Sequence, residues 1–226
     1  MPERELARRV ETVILAAVMT IGIVGLALLP LTSAPYVSAM VRAADSARVT
    51  GLGHEMTLET AEHVRRFVTD RSAPPLPAAI AGRPAYDRAA VDHLVDVREV
   101  LVPARFLAVI LGLAACAWVL VRRRSRSGRR VIAGALAGAG WTLVTVTGLV
   151  VLVGTLDFGT LFARFHDLFF APGTWQFAED ALLIQVFPLS FWVASGAIWG
   201  LLVIAGATGA LVLARRLRFT VGNNGV

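Results

Sequence analysis

Four stretches of this 226-residue chain run without charge for about the length that crosses a bilayer, and they restrict its architecture more than any other feature. Thr12 to Val41 carries no charge, and its densest part is Thr12 to Leu31. Val131 to Leu156 is uncharged for 26 residues and Ala181 to Ala214 for 34. Phe106 to Val121 supplies only 16, which Leu101 and Val102 extend past Arg105. A helix rising 1.5 Å per residue needs about 20 residues to cross about 30 Å of hydrocarbon. Arg105 can sit at the interface and snorkel its guanidinium into the headgroups. Pro103 is expected in the first turn of its helix, where a missing N–H costs little.

The expectation is therefore an α-helical integral membrane protein with four transmembrane helices, at about 12–31, 102–121, 131–153 and 187–213. It forms a single membrane domain over 1–226, with insertions at 35–99 and 157–180. The first run could instead be a secretory signal, with Arg8 and Arg9 before it and Val37-Ser38-Ala39 as a cleavage site. Signal cores are usually about 7–15 residues, and this one is longer.

Charge gives the orientation. All 22 basic residues are Arg, and against 16 acids they leave a net charge of +6. A basic chain invites nucleic acid as a partner only when its charge gathers on a polar surface. Here 56% of residues are hydrophobic and 17% charged, below the quarter or so of soluble domains. The Arg fall in short links: Arg4, Arg8 and Arg9 before span one, six from Arg122 to Arg130 between spans two and three, and Arg215, Arg216 and Arg218 after span four. The positive-inside rule makes that side, with both termini, cytoplasmic. It holds 12 Arg against Glu3, Glu5 and Glu11, a net of +9, and the other side carries −3. The insertions then face outward as a small extracytoplasmic cap, mostly helical or α+β.

In the first insertion Thr57 is expected to N-cap a helix through Leu58, Ala61, Val64 and Phe67, with Glu59 and Glu62 near its positive end. Ala73-Pro74-Pro75 to Pro84 reads as a stiff connector. A second helix runs from Tyr86 to Leu101 into span two. Gly134 with Gly138, and Gly196 with Gly200, are four apart and suit close helix packing.

The four His (His54, His63, His93, His166) all lie outside the spans. That leaves no relay of ionisable groups through the bilayer centre, which a transporter would need. His54-Glu55 and Glu62-His63 hint at metal ligands, but no HExxH is present, and the single Cys116 excludes a thiolate cluster within one chain. No metal site is expected. No GxSxG elbow or phosphate loop occurs, and Ser190 and Ser195 have no evident partner.

His93 and His166 stand out as a pair. The short link between spans two and three makes them an antiparallel hairpin, so their outer ends are neighbours. His93 precedes span two and His166 follows span three, which places both near the outer surface on adjacent elements. Two imidazoles can serve as base and donor near neutral pH. Asp96, at i+3 from His93, could orient that ring or pair with Arg98 or Arg105. His166 sits in Phe165-His166-Asp167-Leu168-Phe169-Phe170, followed by Gly173, Trp175 and Phe177, the composition of an interfacial segment.

This run, continued by Leu183-Ile184 and Phe187-Pro188 with Phe191, resembles the lipoprotein intramolecular transacylase family, as does His93 with Asp96-Val97-Arg98. The four-span order with a large first outward segment is also similar; Tyr36 to Tyr86 departs from the family pattern. The resemblance implies an acyltransferase of the bacterial cytoplasmic membrane with its site on the extracytoplasmic face. It would move an acyl chain from the sn-2 ester of the diacylglyceryl group to the N-terminal amine of a lipoprotein, leaving a lyso-form product. It implies His93 and His166 as catalytic residues, with Asp96, Arg98 and Trp175 orienting or positioning. His166 is assigned as base and His93 as oxyanion or leaving-group partner, and the two roles can be exchanged. Its partners would be a diacylated lipoprotein and membrane lipid, with no cofactor and no nucleic acid, and the oligomeric state stays open. The alternative is a non-catalytic membrane protein whose cap binds an envelope partner, in which both His would tolerate substitution.

Overall fold

The computed structural model describes residues 2–222. Among these residues helix dominates, with one two-stranded ladder. In chain order the elements are α1 (Pro2–Leu31), α2 (Ala34–Ala43), α3 (Ser46–Thr50), α4 (His54–Thr69), β1 (Ala79–Ile80), β2 (Arg83–Pro84), α5 (Arg88–Arg122), α6 (Arg126–Leu156), α7 (Phe158–Phe169), α8 (Leu182–Val186) and α9 (Leu189–Gly222). Four of them, α1, α5, α6 and α9, are long and apolar enough to cross a membrane.

The long helices exceed the apolar runs that mark them, because backbone hydrogen bonding continues past the hydrocarbon-length core. One helix, α5, takes in both the anticipated 86–101 helix and the second span. Pro103 is therefore well inside α5 and not in a first turn. Its ring removes one donor, a loss that membrane helices tolerate where neighbouring groups satisfy the freed carbonyl.

The chain divides into two compact units. One gathers the residues up to Ala27, Arg105–Leu152 and those from Gly200 on. Its helices approach through small residues. A Cβ on Gly25 would lie 2.6 Å from the Cβ of Ala108, and one on Gly140 2.6 Å from Leu211. Leu15, Ile132, Ala135 and Ala139 are buried there. Glu11 joins α1 to α5, accepting from Trp118 Nε1 at 3.1 Å and from Arg122 at 2.6 Å.

The other unit gathers Leu28–Ala104 and Val153–Trp199. Its core joins Val37 and Val41 of α2, Ala61, Val64 and Phe67 of α4, Ala90 and Leu94 of α5, and Leu183, Val186, Phe187 and Phe191. Ser33 caps α2, accepting from the Tyr36 amide. Two left-handed glycines, Gly51 (φ 68°) and Gly53 (φ 77°), turn the chain from α3 into α4, so α4 begins at His54. Thr57 is consequently not the N-cap; its hydroxyl donates to the Gly53 carbonyl at 2.7 Å. Glu55 takes the place near the helix start, and Glu62 instead accepts from Arg65 and Arg66, which hold its carboxyl down at about 2. The Pro-rich connector contains the β1–β2 pair, with Ala79 opposite Pro84 and Ile80 opposite Arg83.

Candidate active site

Helix α7 carries His166, and its sequence explains its limits. Asp157 caps its start, accepting from the Thr160 amide at 2.9 Å and the Thr160 hydroxyl at 2.6 Å. The helix ends where Phe170 turns extended, and Gly173 (φ 84°) folds the following segment back. Phe165, Leu168 and Phe169 on α7 are exposed while His166 is buried. A helix with an apolar outer face and a polar residue turned inward suits a lipid boundary.

The imidazole of His166 is held in one tautomer. Its Nδ1 lies 2.8 Å from the carbonyl oxygen of Phe162, one turn earlier. A carbonyl can only accept, so Nδ1 carries the hydrogen and Nε2 keeps its lone pair in the neutral ring. Burial pushes this imidazole below its ordinary value, against smaller upward effects from the Phe162 carbonyl and the Asp167 carboxylate. His166 is thus a neutral imidazole with a free basic nitrogen at pH 7.

His93, on the first turns of α5, is also buried. Its ring centroid lies 6.3 Å from that of His166, 5.0 Å from Phe170 and 5.5 Å from Phe177. Its Nδ1 is buried with no hydrogen-bond partner. Asp96 does not orient this ring by a hydrogen bond: it is exposed on α5, and His93 Nδ1 is unpaired. One helical turn puts the two on a common face, but the His93 side chain turns into the aromatic cluster. Arg98 stacks 4.7 Å over the Phe67 ring and lies 3.7 Å from Glu99, so it faces the α4 core and not His93.

Aromatic rings surround the two imidazoles. Phe162 packs on His166 at 4.1 Å, Trp175 at 4.7 Å and Phe170 at 5.8 Å. Trp192 packs on Phe162 at 5.9 Å and donates its Nε1–H to the Phe187 carbonyl at 3.0 Å. Phe162 was not singled out from the sequence, although its place at i−4 from His166 is the signal that could have found it. Ser195 does have a partner: the Tyr36 hydroxyl is 2.9 Å from its Oγ. Such a site can accept a proton at one nitrogen and hold acyl chains among its rings.

The profile of the lipoprotein intramolecular transacylase Lit matches residues 12–192, most of the chain. The chain belongs to the lipoprotein intramolecular transacylase family. It is a multi-pass membrane protein and an acyltransferase acting on lipoproteins. No curated protein matches it in sequence. The solved structure of the membrane-integral lipoprotein intramolecular transacylase Lit from Bacillus cereus has the same fold, with a TM-score of 0.79 at 14% identity, over 96% of this chain and 98% of that one. A variant of the same Bacillus cereus protein with one His replaced by Arg aligns with a TM-score of 0.73 at 13% identity, covering 96% and 94%. At this identity the helices have kept their arrangement while most side chains have changed.

Proposed function

We propose that the transacylase moves the sn-2 acyl chain of a diacylglyceryl-modified lipoprotein onto its N-terminal amine, using His166 as general base and His93 as its partner. The observation that carries this reading is the Phe162–His166 hydrogen bond, which leaves Nε2 of a buried, neutral imidazole free to take a proton. The amine nitrogen attacks the ester carbonyl and gives up a proton to Nε2. The tetrahedral intermediate then collapses, the C–O bond breaks, and the glyceryl oxygen leaves as a hydroxyl. Acceptor and ester belong to one molecule, so positioning supplies much of the rate, with effective molarities of about 10⁵–10⁸ M in well-oriented cases. A positioned base adds about 10²–10⁴-fold.

His93 completes the site by passing the proton to the leaving oxygen. Trp175 positions the substrate, Arg98, stacked on Phe67, acts only by holding α5 against α4, and Asp96 acts through its charge along α5. The Arg distribution supports a cytoplasmic location for both termini and for the α5–α6 link, in a bacterial cytoplasmic membrane, and hence an extracytoplasmic site. The insertions 35–99 and 157–180 form its cap on a single membrane domain. The exposed Phe165, Leu168 and Phe169 would rest α7 at the headgroup level, at the depth of the ester bonds.

Expression in a host whose lipoproteins stay diacylated with a free amine tests this. Mass spectrometry of the N-terminal lipopeptide should show the acyl chain on nitrogen, and the signal should vanish with His166→Ala and with His93→Ala. Unchanged transfer in a folded His166→Ala protein would remove the base assignment. Cysteine labelling at the exposed positions of Asp92 and Glu179 from outside intact cells should succeed; protection would reverse the topology.

A further inference from the structure

The indole of Trp175 presents a buried donor for which the resting protein has no acceptor. Its Nε1 is enclosed and makes no hydrogen bond, while the ring lies 4.7 Å from His166 and 6.2 Å from Phe162. Two other indoles of the chain have acceptors: Trp118 donates to Glu11 at 3.1 Å, and Trp192 donates to the Phe187 carbonyl at 3.0 Å. The nearby Phe162 carbonyl is already taken by His166 Nδ1. A buried unpaired donor costs about 1–3 kcal/mol, so one on a ring packed against His166 calls for a cause. Water does not supply one, since a bound water needs 2–4 polar partners and aromatic rings crowd the site.

We propose that the Trp175 Nε1–H is an oxyanion donor, a catalytic residue that hydrogen-bonds the ester carbonyl oxygen as its charge develops. The step rests on the base assignment of His166. When the amine attacks the carbonyl carbon, a C–N bond forms and the carbonyl π pair moves onto oxygen. The amine proton goes to His166 Nε2, and the oxygen takes the indole hydrogen bond. When the π bond reforms, the C–O bond to glycerol breaks and that proton passes from His166 Nε2 through His93 to the departing oxygen. An indole N–H suits this place because it donates without carrying charge, so it adds nothing to the cost of keeping the site apolar. Trp175 lies between α7 and α8 on a segment tied by turn bonds, Thr174 to Ala171 and Ala181 to Ala178. Because Trp175 lies outside both helices, moving its ring to admit the ester would break no helical hydrogen bond.

The test uses the full-length protein in detergent or lipid with a diacylated lipopeptide. Trp175→Phe removes the N–H, and the benzothiophene analogue of tryptophan at the same position removes it while keeping size and stacking. Both should lower kcat about 10²–10³-fold, as loss of one oxyanion donor does. KM and the midpoint of the acid limb should hold. If Trp175→Phe fails to fold, the benzothiophene protein decides alone. Parent-like kcat in the benzothiophene protein overturns the proposal. A fall in kcat with a displaced acid limb also overturns it, since that makes the ring a support for His166. His166→Ala runs in parallel: if it stays active, the base reading fails, whereas an inactive His166→Ala beside a fully active benzothiophene protein overturns the indole role alone.

Discussion

In the unit built from the residues up to Ala27, Arg105–Leu152 and those from Gly200 on, helices meet through Gly and Ala, and the α1–α5 polar contact is closed. Gly25 faces Ala108, Gly140 faces Leu211, and Glu11 is bonded to both Trp118 and Arg122. In the unit built from Leu28–Ala104 and Val153–Trp199, large rings replace small residues. Buried polar atoms there, His93 Nδ1, Tyr86 Oη and Trp175 Nε1 among them, are left without partners at the aromatic cluster or its edge, whereas the unpaired buried atoms of the first unit are guanidinium nitrogens of Arg122 and Arg129. Burial alone drives the Tyr86 phenol well above its usual range, so it too stays neutral. The first pattern maximises contact in a lipid solvent, where close backbones and interhelical hydrogen bonds hold helices together. The second gives up stability to keep hydrogen-bonding groups available. A substitution in the first unit should therefore act on folding, and one among the second unit's rings should act on rate.

The largest effect that separates the two belongs to His166→Ala. It should cost about 10²–10⁴-fold in acyl transfer while Tm in detergent changes little, and a matching collapse of Tm would erase the distinction. Gly25→Ala should do the reverse, because its Cβ would lie 2.6 Å from that of Ala108. Overpacking of this kind costs about 1–3 kcal/mol, read as a lower Tm with specific activity retained in the folded fraction. Glu11→Gln should be milder, about 1 kcal/mol, since the amide keeps one acceptor for Trp118 and loses the charge that pairs Arg122. The smallest change is expected from Asp167→Asn. The Asp167 carboxylate raises the His166 pKa, so its removal lowers it, and the acid limb of kcat should move to lower pH while the plateau stays level. An upward move would contradict the electrostatic account.

The spans were legible because hydrocarbon thickness imposes a length that few other structures need, and the aromatic surroundings of His166 were legible as composition. The unbroken course of α5 was not, since Pro103 signals a helix start from sequence and only packing shows it being carried inside. Thr57 and Asp96 failed for a shared reason. Each sits at a spacing that permits the expected bond, but a spacing cannot say which of several partners is reached: Thr57 turns to Gly53, and His93 turns into the rings away from Asp96. The pinned tautomer of His166 depends on a main-chain oxygen, which no side-chain motif records.

That pinned ring has a consequence for where protons come from. With Nδ1 committed to Phe162, His166 has one nitrogen for exchange, and whatever it takes from the amine it must hand back from the same place. Starting from the neutral amine, the reaction as proposed neither consumes nor releases a proton: an amine hydrogen becomes an alcohol hydrogen on the same lipid, and an amine that arrives as ammonium gives up one proton before it attacks. Only that first proton has to reach water; for the transfer itself the enzyme needs no wire of water or carboxylates. It can work behind a wall of phenyl rings, and its solvent isotope effect should come from hydrogens the substrate carried in.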